Sequence, residues 1–183
     1  EKGRRLGIGL ILASIPIVII GLTLGQTVKA LLFNDIAIAI GLIVGGLIII
    51  WVEKNPPVVR AQEVDDLTIK DAVWIGLIQV LSLIPGTSRS GATIIGAMML
   101  GVSRKAATEF SFFLGIPVIV GAGLLDLYQS YHVFQGATDW AVIAVGLLVS
   151  FISALILIRV LVAYVAKRDF MIFAWYRIAS GLV

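Results

Sequence analysis

The fold turns on residues 72–102, which read AVWIGLIQVLSLIPGTSRSGATIIGAMMLGV. Two apolar arms, residues 72–84 and 94–102, flank a polar loop that runs from Pro85 to Thr93. As a helix the longer arm reaches only about 20 Å, whereas the hydrocarbon core of a bilayer is about 30 Å thick. Neither arm can cross alone. The stretch therefore predicts a re-entrant helix–loop–helix whose tip is buried in protein or lines a wet cavity.

Apolar runs elsewhere in the chain are long enough to form membrane-spanning helices. About 20 apolar residues cross a bilayer as a helix. The runs predict four spanning helices and a fifth, incomplete one, over residues 6–25, 36–52, 107–126, 139–158 and 170–183. The composition agrees, because 60% of the residues are hydrophobic and 14% are charged, against about a quarter charged in soluble domains. We predict an all-α, polytopic integral membrane helical bundle, a single domain over residues 1–183 with a linker at residues 53–71.

The basic residues lie mostly in short loops between the apolar runs. If the hairpin returns to the side it entered from, one face carries Lys2, Arg4, Arg5, Lys54, Arg60, Lys70, Arg104, Lys105, Arg159, Lys167 and Arg168. Only Lys29 then falls on the other face, whereas a single crossing would move Arg104 and Lys105 to it. The positive-inside rule predicts that the basic face is cytoplasmic. This topology accounts for the net charge of +3, so the charge does not indicate a nucleic-acid partner.

The loop at residues 126–139 is predicted to face outward. Its aromatic side chains are typical of an interfacial belt, and they are Tyr128, Tyr131, His132 and Phe134. Since the chain has no cysteine and a single histidine, disulfides and cysteine- or histidine-rich metal sites are excluded.

The backbone of the polar loop is suited to an anion. Pro85 ends the first arm, and Gly86 and Gly91 permit tight turns and the close approach of a ligand. Ser90 is predicted to be the N-cap of a helix over residues 92–100. Such a helix would direct free backbone N–H groups and a positive end toward the loop.

Arg89 lies among the hydroxyls of Thr87, Ser88 and Ser90, with Thr93 one turn into the following helix. Because arginine can bind phosphate bidentately, the loop predicts a phosphate site. Alternatively, Arg89 pairs with a carboxylate or extends to the interface, and the hydroxyls only satisfy helix ends. A charge near the bilayer centre costs about 2.5–3.5 kcal/mol, and no acidic residue lies within ten positions of Arg89. These facts favour the anion site.

Four further polar residues are candidates of second rank. Gln79 and Ser111 are typical of helix–helix hydrogen bonds more than of ligands. Glu109 is expected at the N-terminus of the next helix, where an acid is favoured. Arg177 lies in the last apolar run and could reach a polar partner or a lipid headgroup. The glycines of the second run are interpreted as close-packing positions: Gly41, Gly45 and Gly46.

A longer pattern surrounds the loop. It comprises Gly76-Leu77-Ile78-Gln79, then Pro85-Gly86-Thr87-Ser88-Arg89-Ser90-Gly91-Ala92-Thr93, then Gly101-Val102-Ser103-Arg104, Ala107, Glu109-Phe110-Ser111-Phe112 and Tyr176-Arg177. This pattern resembles the undecaprenyl-diphosphatase family of the bacitracin-resistance type. The resemblance implies an enzyme of the bacterial inner membrane that hydrolyses undecaprenyl diphosphate to undecaprenyl phosphate and recycles the lipid carrier for cell-wall synthesis. It also implies a requirement for Mg²⁺ or Ca²⁺.

The resemblance further implies roles for the loop residues. Ser88 and Arg89 would bind the diphosphate and Thr93 would support it, with further substrate contacts at Gly86, Thr87, Ser90 and Gly91. The family's site has a second hairpin with metal-binding glutamates and a histidine, which have no counterparts in these 183 residues. The chain is therefore expected to be a fragment that lacks this first hairpin and is inactive alone, and no metal ligand is assigned in it.

The residues also bear on three other function classes. The type 2 phosphatidic acid phosphatases need a histidine six residues after the arginine, where this chain has Ile95. A transporter or flippase for a polyprenyl phosphate remains the alternative, since re-entrant hairpins and half-helix dipoles are transporter features. If the protein were only a structural membrane scaffold, a buried Arg89 without a ligand would have no evident purpose. The sequence leaves open the preferred metal, the nucleophile and the oligomeric state, with a homo-oligomer as one alternative.

Overall fold

The structure is a computed structural model that describes residues 2–133 and 136–183. These residues form helices and no strand, which confirms the predicted all-α class. Their α-helices are α1 (Lys2–Leu32), α2 (Asp35–Lys54), α3 (Ile69–Gln79), α4 (Arg89–Met99), α5 (Arg104–Ser130), α6 (Ala137–Val165) and α7 (Met171–Leu182). Short 3₁₀ turns lie at Val64–Asp66, Val80–Leu83 and Tyr131–Val133.

Helices α1, α2, α5 and α6 are each long and apolar enough to cross a membrane. Their ends differ from the predicted bounds, because capping groups and not hydropathy set where a helix begins. Helix α5 starts at Arg104, since the Ser103 side chain accepts a hydrogen bond from Ala106 N (3.2 Å). Helix α6 continues to Val165, so that Arg159 lies within a helix and not in a loop. Helix α7 has 12 residues and reaches only about 18 Å.

Helices α3 and α4 form an antiparallel hairpin whose open end is closed by one arginine. Arg60 of the linker donates to the carboxylate of Asp71 in the first turn of α3. Its Nε also donates to Leu100 O at the C-terminus of α4 (2.7 Å). The two arms therefore begin and end at the same end of the bundle, which is the geometry that a re-entrant hairpin requires.

That end of the bundle, called the basic end below, is joined by polar contacts between helix termini. Glu53, at the end of α2, has a buried side chain that accepts hydrogen bonds from Arg104 Nε (3.0 Å) and Phe170 N (2.9 Å). These bonds connect α2 with the starts of α5 and α7. At the start of α1, Arg5 donates to Asp65 O in the linker. The helix ends that carry most of the basic residues thus lie together.

Small residues allow the hairpin to approach α1 and α2 closely. A Cβ at Gly41 of α2 would lie 2.6 Å from Pro85 O, and a Cβ at Gly76 of α3 would collide with the backbone of Ala13 in α1. Helix α7 packs on α2 at Gly46, where a Cβ would lie 2.8 Å from a carbonyl oxygen of α7. These contacts hold the hairpin between two long helices, as small residues do in membrane helix packing.

The outer surface of the bundle is apolar. Helix α6 packs on α5, and the most apolar 18-residue stretch of its spanning segment has no buried residue. At the end of α5, Tyr128 and Tyr131 are exposed, and the His132 ring meets the Tyr131 ring edge-on at 5.9 Å between centroids. The predicted belt residue Phe134 lies outside the described residues. An apolar exterior of this extent is typical of a chain whose solvent is lipid.

Candidate active site

The loop between the hairpin helices packs its backbone against α2. Gly86 has a φ of +80°, and a Cβ at this position would collide with Ile38 O. Only glycine suits both this dihedral angle and this contact. Backbone contacts therefore set the position of the loop and leave its hydroxyl side chains for other partners.

Ser88 is the N-cap of α4. Its backbone is extended (φ −69°, ψ 127°), and its Oγ accepts a hydrogen bond from Gly91 N (3.1 Å). The prediction that Ser90 caps this helix is wrong, because the helix begins at Arg89 and Ser90 lies within its first turn. Ser90 Oγ lies 3.3 Å from Ser88 Oγ. The positive end of the α4 dipole is therefore at Ser88.

Arg89 is directed from α4 toward α3 and α5. Its Nη1 donates to Gln79 Oε1 (3.3 Å), and a Cβ at Gly115 of α5 would lie 2.6 Å from its Nη2. None of the ion pairs between described residues includes Arg89, so its charge is not neutralised by a carboxylate there. Gln79 is fully buried, and its Nε2 has no partner among the described residues. The amide oxygen must face the guanidinium, because arginine can only donate.

Thr93 and Ser111 meet at the contact between α4 and α5. Both side chains are fully buried, and their Oγ atoms lie 2.6 Å apart. Thr93 Oγ1 also donates to Arg89 O (3.0 Å). Thr93 therefore lies on the side of the loop that faces α5, where its hydrogen bonds hold the start of α4 against α5.

Arg177 reaches the loop from α7. Its Nη2 donates to Gly86 O (2.9 Å) and to Gly41 O (3.1 Å). A Cβ at Gly45 would collide with the guanidinium, so this glycine provides the space that Arg177 occupies. Arg177 Nε is buried and has no partner among the described residues. The last helix is thus connected to the hairpin tip. The sequence alone indicated only that Arg177 could reach a polar partner or a lipid headgroup.

A cavity of about 420 Å³ lies between α2 and the hairpin. Its polar lining comes from the loop side: Thr87, Ser88, Gly91 and Arg177. Arg89 is not among the lining residues, so the structure divides the predicted site between two sides of α4. The remaining lining residues are apolar side chains or glycines, namely Gly45, Ile48, Ile49, Trp51, Ile78, Leu81, Ala92, Ile95, Gly96 and Met99. The sequence pattern does not indicate this cavity, because its glycines Gly45 and Gly96 lie on separate helices and give only a weak signal.

Glu109 lies away from the hairpin tip. The prediction that it starts a helix is wrong, since α5 begins at Arg104 and Glu109 falls in its second turn. It lies one turn after Lys105, whose ammonium pairs with Glu63 (3.0 Å) at the basic end.

The described residues do not fit a Mg²⁺ or Ca²⁺ site. Within residues 2–133 and 136–183, no three side chains of His, Asp or Glu are grouped so that they could hold one ion. Such cations take several oxygen ligands. The buried carboxylates of Glu53 and Asp71 are already paired with arginine. No ligand for the cation is therefore assigned in this chain.

Fold and site together define a polytopic helical membrane protein with an arginine-containing hairpin tip inside its bundle. The chain belongs to the bacitracin resistance protein BacA family, whose model matches residues 1–183. This finding confirms the family resemblance.

Curated relatives agree with this family. The chain is 78% identical over 183 residues to "Undecaprenyl-diphosphatase 1" of Acinetobacter baylyi, covering 100% of this chain and 67% of that protein. It is 57% identical to the undecaprenyl-diphosphatase of Psychrobacter cryohalolentis, over 98% of this chain and 64% of the relative. It is 52% identical to "Undecaprenyl-diphosphatase 2" of Rhodospirillum rubrum, over 95% and 63%. The chain spans about two thirds of the length of the curated relatives it matches.

Proposed function

We propose that this chain contributes the anion-binding half of an enzyme that hydrolyses undecaprenyl diphosphate to undecaprenyl phosphate and inorganic phosphate. The observation that carries the proposal is the hairpin tip. There the Ser88-capped N-terminus of α4 lies near Arg177, while Arg89 in the first turn of α4 extends to the other side of the helix, and neither arginine is in an ion pair between described residues. Family membership and the names of the relatives support the choice of substrate.

The chemistry of this tip suits phosphoryl transfer. In such a reaction the oxygen of water becomes bonded to the terminal phosphorus and the water loses a proton to the solvent. The bond from that phosphorus to the bridging oxygen breaks, and its electron pair stays with the departing undecaprenyl phosphate. The charge is spread over phosphate oxygens, so catalysis relies mainly on positioning and on fixed positive charge. Arg89 and the N-terminus of α4 supply such fixed positive charge. Thr93 keeps Arg89 and the N-terminus of α4 in position by holding the start of α4 against α5.

A divalent cation, Mg²⁺ or Ca²⁺, is proposed on the family resemblance alone. When bound, it would neutralise phosphate charge. Since the described residues do not fit it, no step of the reaction is assigned to it here. Removal of the cation from the intact protein with a chelator is expected to stop phosphate release, and release that continues would contradict the proposed requirement.

The proposed location is the bacterial inner membrane, with the basic end facing the cytoplasm. Its support is the gathering of basic helix ends through Glu53, Arg60 and Arg104 and the positive-inside rule. In that location the product undecaprenyl phosphate would return to use as the lipid carrier in cell-wall synthesis.

The test is release of inorganic phosphate from undecaprenyl diphosphate by the intact membrane protein in detergent. Arg89→Ala is expected to reduce kcat/KM by roughly a hundredfold or more, because a charge-assisted phosphate contact is lost. Lys29→Ala, at the far end of α1, serves as the control and should retain activity. If the wild-type protein moves polyprenyl phosphate across vesicles but releases no phosphate, the protein is a transporter and the hydrolase proposal fails.

A further inference from the structure

The tip of the hairpin is held by a side chain from outside the hairpin, Arg177 of α7. We infer that Arg177 is a positioning residue of the candidate active site. Its guanidinium fixes the turn at Gly86 against α2, and through this turn it fixes the N-terminus of α4 and Arg89. A role in catalysis rests on the proposed function, whereas the hold on the loop can be measured without hydrolysis.

The turn that Arg177 supports begins the loop of the hairpin. It runs from Ile84 to Thr87 and is closed by the bond from Thr87 N to Ile84 O (3.1 Å). Pro85 as its second residue, followed by a glycine with a φ of +80°, is typical of a type II turn. The Gly86 carbonyl takes no part in closing this turn. Among the described residues, the donor to Gly86 O is Arg177 (2.9 Å), and a charged donor makes such a bond stronger than one between neutral groups.

The same nitrogen of Arg177 also connects the turn to α2. Nη2 donates to Gly41 O (3.1 Å) as well as to Gly86 O, so one donor group bridges two backbone segments. Gly41 lets the turn approach α2, since a Cβ there would lie 2.6 Å from Pro85 O. Gly45, one turn further along α2, leaves room for the guanidinium, because a Cβ there would collide with it. The two glycines and the arginine therefore form one contact that joins α2, α7 and the loop.

The polar groups of the tip follow directly after this contact. Ser88, two residues after Gly86, caps α4, and Arg89 begins the helix. A displacement of the turn is therefore passed on to the cap and to Arg89. A misplacement of about 1 Å can cost about a hundredfold in rate. Because the Nη2 of Arg177 is occupied by two carbonyls, Arg177 acts on the reaction through the position of the loop.

Hydrogen exchange of the intact protein in lipid nanodiscs measures this hold on the loop. The amides of Thr87, Gly91 and Ala92 are hydrogen-bonded within the loop and the first turn of α4, so their exchange reports its order. Arg177→Ala is expected to raise their exchange rates by roughly tenfold or more, the range for loss of a hydrogen bond to a charged group. Amides of residues 104–110 in α5 should stay within about twofold of the wild type. Guanidinium ion, added below denaturing concentrations, should restore the protection of the loop.

Two further variants separate the position of the guanidinium from its charge. Gly45→Ala displaces the guanidinium without removing it, and Arg177→Lys keeps the charge without the planar set of donors. Both should speed exchange of the loop amides, and both remain informative if Arg177→Ala does not fold. Their kcat for phosphate release is expected to fall by roughly tenfold to a hundredfold, with KM within about threefold. Gly121→Ala in α5 is the matched control, since no described residue lies within 4 Å of a Cβ there.

Three results would overturn the inference. The first is wild-type exchange of the loop amides in both Arg177→Ala and Gly45→Ala. The second is an equal rise in exchange at residues 104–110, which would mean that Arg177 only stabilises the bundle. The third is a raised KM at unchanged kcat, which would indicate a direct contact with the substrate. If the wild-type protein releases no phosphate but its loop exchange still depends on Arg177, the proposed function fails and the hold of Arg177 on the loop is supported.

Discussion

Thr93 Oγ1 lies 2.6 Å from Ser111 Oγ, and both side chains are fully buried. Thr93 Oγ1 also lies within hydrogen-bond distance of Arg89 O (3.0 Å) and Ser90 O (3.2 Å), and either hydroxyl can be the donor in the bond between Thr93 and Ser111. The pair links the start of α4, which carries Arg89, to the N-terminal third of α5. Two residues that the sequence suggested as separate candidates thus act as one connection.

The variant Thr93→Val keeps the shape of the side chain and removes the hydroxyl. It is expected to lower the free energy of unfolding by about 1–3 kcal/mol, because the buried hydroxyl of Ser111 loses its hydrogen-bond partner. The double variant Thr93→Val/Ser111→Ala should cost less than the sum of the single changes. Unfolding of the intact protein in detergent measures this. The control is Thr108→Val, whose hydroxyl donates to Arg104 O of its own helix and has no other partner among the described residues; equal costs for the two threonines would contradict the prediction.

A Cβ at Gly115 would lie 2.6 Å from Arg89 Nη2. We therefore expect Gly115→Ala to displace the guanidinium and to reduce the rate of phosphate release by roughly a hundredfold, the cost of a misplacement near 1 Å. Gly121→Ala on the same helix is the matched control, since nothing lies within 4 Å of a Cβ there. An active Gly115→Ala variant would mean that Arg89 does not need its present position.

Gln79 holds Arg89 through its amide oxygen. Gln79→Glu is expected to reduce phosphate release by roughly tenfold to a hundredfold, because the new carboxylate neutralises the charge that should meet the phosphate. Gln79→Leu removes the hydrogen bond without adding a charge, and its effect should be smaller. Ile75→Val, one turn earlier and equally buried, controls for packing loss. If the Glu variant is as active as the wild type, Arg89 does not act as a free cation.

The pair of Asp71 and Arg60 makes the base of the hairpin sensitive to acid. Burial disfavours the charged form of Asp71, but hydrogen bonds from Arg60 and Thr68 more than offset this, so the pKa of Asp71 lies below its ordinary 3.8. The stability that the charged form contributes is therefore present above about pH 4 and is lost as the pH falls through the lowered pKa.

Asp71→Asn is expected to cost about 1 kcal/mol at neutral pH, a modest value because Arg60 is half exposed. The variant should also lose less stability than the wild type between about pH 4 and pH 2. Thermal unfolding against pH measures both effects. Parallel curves for the two proteins over that range would show that Asp71 does not titrate as described.

Much of the fold follows from properties of short windows of sequence. The apolar runs within α1, α2, α5 and α6 are visible in windows of about 20 residues, and the short arms around Pro85 to Thr93 predict a hairpin. The chemistry of the tip is equally local, because Ser88 and Arg89 are adjacent. The exact start of α4 was not predictable, since Ser88 and Ser90 are both good N-caps and the backbone contacts of Gly86 with α2 decide between them.

Which side each arginine faces depends on partners that are distant in sequence. Arg177 reaches Gly86 O across 91 positions and Gly41 O across 136, and no periodicity in the chain encodes either bond. Arg89 is directed to the other side of α4 because Gly115 leaves space for it there.

The sequence by itself determined a helical membrane protein with a cationic, hydroxyl-rich hairpin tip, because hydropathy and residue chemistry act locally. Only the tertiary structure decided that Ser88 and Arg177 line the same apolar cavity, whereas Arg89 lies beside Gln79 on the other side of α4. The physical reason is that glycines at the contacts between helices leave the space that each guanidinium occupies. The residue pattern along the chain does not show which helices will meet at those glycines.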